Sequence, residues 1–176
     1  MGFVENKYNK IKPVKQEHRN GCWAACLEWW MKANKFSTIY TQKALRQEAE
    51  IKAMYISDST NGDVHKKSHK DYGVLEKHEL LGLLRQPRFS MTVHEEPSLN
   101  PYLIAEALYS NGPIIVGYYD GMAEGNHINV ICGYDTEYQF VEVMEPRTGK
   151  FKEKGLSEYL AGPDPLILGW KRHSAS

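Results

Sequence analysis

One cysteine of this sequence lies directly after an Asn-Gly pair and directly before a helical pattern, in the segment NGCWAACLEWW. Small or apolar residues follow Cys22 at the spacing of one helix face: Ala25, Cys26, Trp29, Trp30 and Ala33. Unpaired backbone N–H groups at the start of a helix favour a thiolate, so Cys22 is a candidate nucleophile. The competing interpretation makes Cys22 the first residue of a buried helix face, because free cysteines are often buried.

A histidine and a carboxylate lie on two successive predicted strands, HINVICGYD and QFVEVME. If Asp135-Thr136-Glu137 forms a three-residue hairpin loop, His127 lies opposite Glu145 and Ile131 lies opposite Val141. Opposite side chains have Cβ atoms about 4.5–5.5 Å apart, so the carboxylate can fix the tautomer of the imidazole. The same register turns four residues to the other face: Ile128, Val130, Cys132 and Tyr134. The competing interpretation is that Glu145 only ends its strand and that His127 is an ordinary strand-edge histidine.

Helices dominate the first half of the chain. The helical stripe predicts a helix from Cys22 to about residue 35, capped by Asn20-Gly21. Two further helices are predicted in TQKALRQEAEI, residues 41–51, and in LEKHELLGLLRQ, residues 75–86. The polar segment between them, residues 57–72, is predicted to be a long surface loop.

Strands dominate the second half. The segment RFSMTVHEE alternates as a strand does, and PIIVGYY is an apolar run typical of a buried strand. Between them, LNPYLIAEALYSNG predicts an amphipathic helix that ends at Gly112. The order of elements predicts one α+β domain over residues 1–176, with a helical half at about 16–86 and a sheet half at about 87–170.

Composition excludes several classes of protein. The 176 residues are 41% hydrophobic, and 22 basic side chains balance 22 acidic ones, so no overall charge favours nucleic acid or an anionic membrane. No apolar run approaches the ~20 residues of a membrane span. Three cysteines and an N-terminus without an apolar stretch predict synthesis in the cytoplasm, with export only by a route that needs no cleaved signal.

The sequence predicts no metal site and no cofactor. Cys22 and Cys26 have helical spacing but lack a second ligand pair. His65, His69 and His78 fall in a polar loop and a separate helix, and neither a Cys-x-x-Cys motif nor a phosphate-binding glycine loop is present.

Taken together, the segments from about Gln16 to Leu160 resemble the papain-like cysteine peptidases. Gln16 precedes Cys22 by six positions, CWAA opens the helix, and SNGPIIV leads from a helix into a central strand. HINVICGYD is similar to the family segment that carries the histidine, and VEVMEPRTG is similar to the strand that carries the third catalytic residue. The resemblance is closest to the compact bacterial branch, which includes bacteriocin-processing peptidases and effector proteases.

The resemblance implies a papain-like fold, in which an N-terminal helical part packs on a C-terminal antiparallel sheet with the site in the cleft between them. It implies a cysteine peptidase with a protein or peptide substrate and a bacterial effector or toxin role. Gln16 and Cys22 then form the oxyanion site, His127 is the base and Glu145 orients it. The sequence departs from the family at Glu145, where Asp or Asn is usual.

Four further expectations follow for the site. The helix start and an imidazolium at His127 should both lower the pKa of the Cys22 thiol. Cys26, one helical turn deeper, should be inert. Trp23 is expected to line the cleft, with a surface or core tryptophan as the alternative. Asn129 shares the face of His127 and is a candidate substrate-binding residue, with a locally bonded strand residue as the alternative.

Two other functions remain open at this point. A deamidase, transglutaminase or amidase on the same fold would use the same acyl-enzyme. A catalytically silent binding module would explain the departure at Glu145 but not the presence of Gln16, Cys22 and His127 together.

Overall fold

The computed structural model describes residues 4–19, 21–48, 75, 77–122 and 125–173. The helices are α1 Cys22–Ala33, α2 at residues 42–48, α3 Lys77–Leu84 and α4 Pro101–Asn111. The strands are β1 Met91–Glu96, β2 Ile114–Asp120, β3 Gly125–Asp135, β4 Phe140–Glu145, β5 Lys150–Gly155 and β6 Leu166–Lys171. Short 3-10 turns lie at Pro87–Phe89 and Leu156–Glu158.

The six strands form one antiparallel sheet in the order β1-β6-β2-β3-β4-β5. The predicted α+β class is therefore confirmed. The extent of the domain over residues 1–176 stays a prediction, and the predicted loop at 57–72 lies outside the described residues.

Apolar side chains cover both faces of the sheet. On one face α1, α2 and α3 pack against Ile128, Val130 and Met144, and α1 is buried on nearly every side because its apolar residues surround the helix. On the other face α4 packs against Val116 and Ile131. The sheet thus lies between the N-terminal helices and α4, and α1 contacts the central strands β2 and β3 directly.

The sequence analysis did not identify β5 and β6. The segment KFKEKG of β5 has one apolar side chain, Phe151, and pairs only with β4 at the edge of the sheet. Its strand conformation comes from pairing with β4 rather than from its own alternation. The segment LILGWK of β6 lies between β1 and β2, which buries most of its residues.

The predicted register of the β3–β4 hairpin is wrong. Asp135 pairs with Phe140, so the loop has four residues, and Ile131 pairs with Val143 rather than with Val141. Between the loop and the bulge, β4 is shifted by three residues from the predicted pairing, which would invert the faces of its side chains. A β-bulge between Ile131 and Gly133 reduces this shift to two residues, which restores the predicted faces. The net error is two residues, which keeps each side chain before the bulge on its predicted face.

The bulge also explains why Tyr134 lies on the side of the sheet opposite to the predicted one. Cys132 lies with Ile128 and Val130 on the α1 side of the sheet, so these three share one face as predicted, but Tyr134 packs on the α4 side. The extra residue at the bulge reverses the alternation beyond it.

Candidate active site

Cys22 is the first residue of α1, and the end of the helix around it has no side-chain cap. Gly21 is the N-cap residue, and the first helical hydrogen bond runs from the Ala25 N–H to the Gly21 carbonyl at 3.1 Å. The N–H groups of the first turn therefore lie free of helical partners beside the thiol, with the positive end of the helix dipole. Only 5% of Cys22 is exposed.

Burial dominates the ionisation of this thiol. It raises the pKa of Cys22 to about 11, against the opposing effect of hydrogen bonds from the backbone N–H groups of Ile128 and Trp23. The charge of Arg147 lowers this pKa further, and that of Glu145 raises it. The expected lowering of the Cys22 pKa is wrong for this structure, because loss of hydration outweighs the helix start.

Ile128 joins α1 to the strand that carries the histidine. Its N–H meets the Cys22 thiol, and its carbonyl accepts a hydrogen bond from Cys26 Sγ at 3.5 Å. The first turn of α1 is thereby fixed next to residue 127. Among the described side chains, the Cys22 thiol forms no hydrogen bond with the His127 ring, whose Nε2 is bonded to Glu145.

His127 and Glu145 form a buried pair. His127 Nε2 lies 2.8 Å from Glu145 Oε1, with 2% and 8% of the two residues exposed. Glu145 Oε1 also accepts the Arg147 N–H at 3.0 Å. Burial raises the pKa of Glu145, but the hydrogen bonds from His127 and from the Arg147 N–H outweigh it and leave the pKa below its ordinary value.

The register explains why a glutamate reaches the ring. Val130 pairs with Met144, so Glu145 lies one residue further along, beside Asn129 rather than opposite His127. The carboxylate must therefore reach diagonally, over about 7–8 Å between backbones, which suits a long side chain. The extra methylene relative to aspartate fits this diagonal path.

The sequence analysis missed an ion pair that anchors the turn after Glu145. Arg147 Nη1 lies 2.7 Å from Asp120 Oδ2, and Asp120 Oδ1 accepts the Met122 N–H at 3.1 Å. Asp120 ends β2 and is 8% exposed. The only sequence signal was an acidic residue directly after an apolar strand, which gives no indication of its partner 27 residues away.

Gln16 lies on an extended segment that is tied to the same turn. Its N–H donates to the Pro146 carbonyl at 2.8 Å. Its Nε2 donates to the carbonyls of His18 and Arg19 at 2.9 and 2.8 Å, and its Oε1 is buried with no partner among the described residues. The opposite orientation of the amide would set Oε1 against two carbonyl oxygens, which are acceptors only.

Comparison with known proteins identifies the family. The family model described as "Papain-like cysteine protease AvrRpt2" matches residues 6–162, which include Gln16, Cys22, His127 and Glu145. The chain belongs to this family. It is a papain-like cysteine protease, a hydrolase whose substrates are proteins.

The fold of the protease is similar to that of a solved bacterial structure. Xylellain, a cysteine protease from Xylella fastidiosa, matches with a TM-score of 0.58 at 10% identity, over 99% of this chain and 87% of that one. Comparison with curated proteins gives no significant match. The papain-like fold predicted from the sequence is confirmed.

Two predicted substrate-binding residues of the protease are buried. Trp23 is 1% exposed, and Asn129 is fully buried with its Oδ1 accepting the Tyr159 hydroxyl at 3.1 Å. Contact of either residue with substrate stays a prediction, since Cys22 and His127 are buried to a similar degree, at 5% and 2% exposure. Trp23 lies on α1 and Asn129 lies on β3, and packing of α1 and the sheet buries both side chains.

The other two cysteines of the protease lie in its core. Cys26 and Cys132 are 0% and 1% exposed, and burial raises the pKa of both thiols well above the ordinary value. In the part of the chain that the structure describes, no three His, Cys, Asp or Glu side chains group as metal ligands. None of the described helices has both the length and the apolar character that a membrane span requires.

Proposed function

We propose that Cys22 is the nucleophile of this protease, that His127 is its general base and that Glu145 orients His127. The observation that carries this proposal is the buried 2.8 Å contact between His127 Nε2 and Glu145 Oε1, directly before Ile128, to which the first turn of α1 is hydrogen-bonded. Because Glu145 occupies Nε2, the other ring nitrogen, Nδ1, is left to take the proton of the thiol.

In the proposed reaction His127 accepts a proton and gives it up twice, once in each half of the reaction. Cys22 Sγ gives its proton to His127, and the thiolate attacks the carbonyl carbon of the scissile peptide bond. Collapse of the tetrahedral intermediate breaks the C–N bond, and His127 returns the proton to the leaving amine. A water molecule then gives a proton to His127 as its oxygen attacks the thioester carbon. Collapse of this second tetrahedral intermediate breaks the C–S bond and releases the acid, and His127 gives its proton to Cys22 Sγ, which restores the thiol.

Proton transfer to His127 offsets the cost of forming a thiolate at a buried position. A lone thiolate at this depth is unfavourable, which is why the pKa of Cys22 is raised to about 11. An imidazolium beside it supplies the opposite charge, and the Glu145 carboxylate stabilises that imidazolium in turn. The Asp120–Arg147 pair fixes the turn from which the Arg147 N–H holds Glu145.

The proposed oxyanion site combines a backbone and a side-chain donor. The Cys22 N–H lies at the uncapped start of α1 and is one donor. Gln16 Nε2 is the other, once one of its two bonds to the loop carbonyls is exchanged for the oxyanion. Loss of one such donor costs about 2.7–4 kcal/mol of transition-state stabilisation.

The test compares Cys22→Ala with Cys26→Ala, which changes the same residue type one helical turn away. New peptide N-termini are counted by mass spectrometry in cell extracts incubated with each variant and with wild type. Cys22→Ala should abolish the new termini, His127→Ala should reduce them by at least 10²-fold, and Cys26→Ala should retain them. Persistent cleavage by folded Cys22→Ala would rule out the proposed nucleophile.

The comparisons give no support to the deamidase, transglutaminase, amidase or silent-module alternatives. A role as a bacterial effector or toxin fits the matched family and stays part of the proposal. Synthesis in the cytoplasm and export by a route without a cleaved signal also stay predictions, as does the lack of a nucleic-acid partner.

A further inference from the structure

Gln42 uses both ends of its side-chain amide to hold the segment that carries Gln16. Its Oε1 accepts the Glu17 N–H at 3.1 Å, and its Nε2 donates to the Lys15 carbonyl at 2.9 Å. The two bonds therefore lie on either side of Gln16. Gln42 is 4% exposed, so water competes little for these bonds.

Gln42 is itself fixed to the helix that carries Cys22. Its backbone N–H donates to Glu28 Oε2 at 2.9 Å, and Glu28 lies on α1, where its other oxygen accepts from Lys32 Nζ at 2.6 Å. One residue thus connects the Gln16 segment to α1. The Gln16 N–H connects the same segment to Pro146 on the opposite side.

Segment 13–16 has no helix or strand pairing of its own to fix its position. An oxyanion donor is effective only at about 2.7–3.1 Å from the developing charge, so a small displacement of the segment removes its contribution. The position of Gln16 relative to Cys22 therefore depends on the bonds that Gln42 and Pro146 make.

We infer that Gln42 is a positioning residue of the oxyanion site, which fixes Gln16 relative to Cys22. The inference rests on the proposed oxyanion role of Gln16. Gln42 acts through Gln16 and does not touch the substrate.

The experiment is a double-mutant cycle on the full chain with Gln16→Ala, Gln42→Ala and the double variant. Gln16→Ala should lower kcat about 10²-fold. Gln42→Ala should lower kcat about tenfold or more and change KM by no more than about twofold. The reason is that Gln16 contacts the oxyanion only in the transition state, so its displacement affects kcat. In the Gln16→Ala background, Gln42→Ala should change kcat by less than about twofold, because the donor that it positions is absent.

A second readout separates positioning from general disruption. Alkylation of Cys22 by iodoacetamide forms a C–S bond without an oxyanion, so its rate should be unchanged in Gln42→Ala. Gln42→Glu keeps an acceptor for the Glu17 N–H but sets a carboxylate oxygen against the Lys15 carbonyl. It is closer in shape to the native residue, should fold where alanine does not, and should also lower kcat.

Asn6→Ala is the matched control. Asn6 is 4% exposed and also uses both amide ends, with Nδ2 donating to Glu142 Oε1 at 2.8 Å and Oδ1 accepting the Tyr8 N–H at 2.8 Å. It should lower the free energy of unfolding and leave kcat unchanged. If the losses in kcat were additive in the double variant, or if alkylation of Cys22 slowed in parallel with kcat, the positioning role of Gln42 would be overturned. The proposed oxyanion donor would then still stand. An unchanged kcat in Gln16→Ala would overturn both that role and the proposed oxyanion donor.

Discussion

The Cys22 thiol and the Glu145 carboxylate respond to the same buried environment in opposite ways. The pKa of the thiol is raised by burial, which its backbone hydrogen bonds do not offset. The pKa of the carboxyl is lowered, because two donors outweigh its burial. Glu145 therefore carries a negative charge before reaction, and the thiol acquires one only by proton transfer.

Selective labelling of Cys22 tests this view of the thiol. Iodoacetamide should label Cys22 well before Cys26 or Cys132, since it is the most exposed thiol and its pKa is the least raised. Without the base, the labelling rate of His127→Ala should follow the thiolate fraction alone and rise about tenfold per pH unit below the pKa of the thiol. At pH 7 wild type should react at least about tenfold faster, because His127 takes the proton.

Mass spectrometry of the labelled peptides gives the rate for each cysteine. Equal labelling of the three cysteines in folded protein would count against the nucleophile. Identical pH profiles for wild type and His127→Ala would count against the base.

Glu145→Gln tests the lowered carboxyl pKa through stability. A carboxyl whose folded pKa lies below its ordinary value of 4.5 stabilises the fold above that pH, and the contribution is lost as pH falls through the folded value. Wild type should therefore exceed Glu145→Gln in free energy of unfolding at neutral pH. The difference should shrink as the pH falls below about 4.5, as measured by urea unfolding. A difference that is constant with pH would show that Glu145 has no lowered pKa.

At the scale of elements, the turn after β4 is the point where three parts of the chain meet. The Gly149 N–H donates to the Glu145 carbonyl at 2.9 Å and closes this turn. The turn carries the Arg147 N–H that holds Glu145 and the Pro146 carbonyl that holds Gln16. Any distortion of it should disturb the orienting carboxylate and the oxyanion segment together.

Gly149→Ala tests this dependence. Gly149 has a φ of +63°, and an added Cβ would lie 2.7 Å from Lys15 Cβ, next to Gln16. The variant should lose about 1–3 kcal/mol of stability through backbone strain, and kcat should fall as the Gln16 segment is displaced. Denaturant unfolding and peptide hydrolysis measure the two effects.

Gly82→Ala is the control for the glycine substitution. Gly82 lies in α3, and within the described part of the chain no atom outside the helix backbone lies within 4 Å of an added Cβ. Alanine there should stabilise the helix by about 0.5–1 kcal/mol and leave kcat unchanged. A Gly149→Ala variant as active as Gly82→Ala would show that the turn does not position the site.

At the scale of the whole molecule, the sheet separates two apolar clusters, and the site lies where α1 meets the ends of β3 and β4. Trp30 Nε1 donates to the Pro113 carbonyl at 2.8 Å, which joins the far end of α1 to the start of β2. Burial of α1 between this contact and Ile128 fixes the position of Cys22 along the helix axis. The same burial that raises the thiol pKa thus also places the sulfur.

The sequence by itself determined the local features. A 3.6-residue stripe placed Cys22 at a helix start, and alternation placed His127 and Glu145 on successive strands of one hairpin. It predicted their shared face despite a wrong loop length, because the error of two residues preserves the alternation of side chains. These features are local, and the spacing of apolar residues along a helix or strand is enough to predict them.

Only the tertiary structure decided how those features meet. Gln42 contacts Lys15 and Glu17, and Arg147 contacts Asp120, across separations that leave no periodic signal in the sequence. Burial reversed the expected shift of the Cys22 pKa and enclosed Trp23 and Asn129. Distance through space and access to water depend on how the elements pack, and no short segment contains that information.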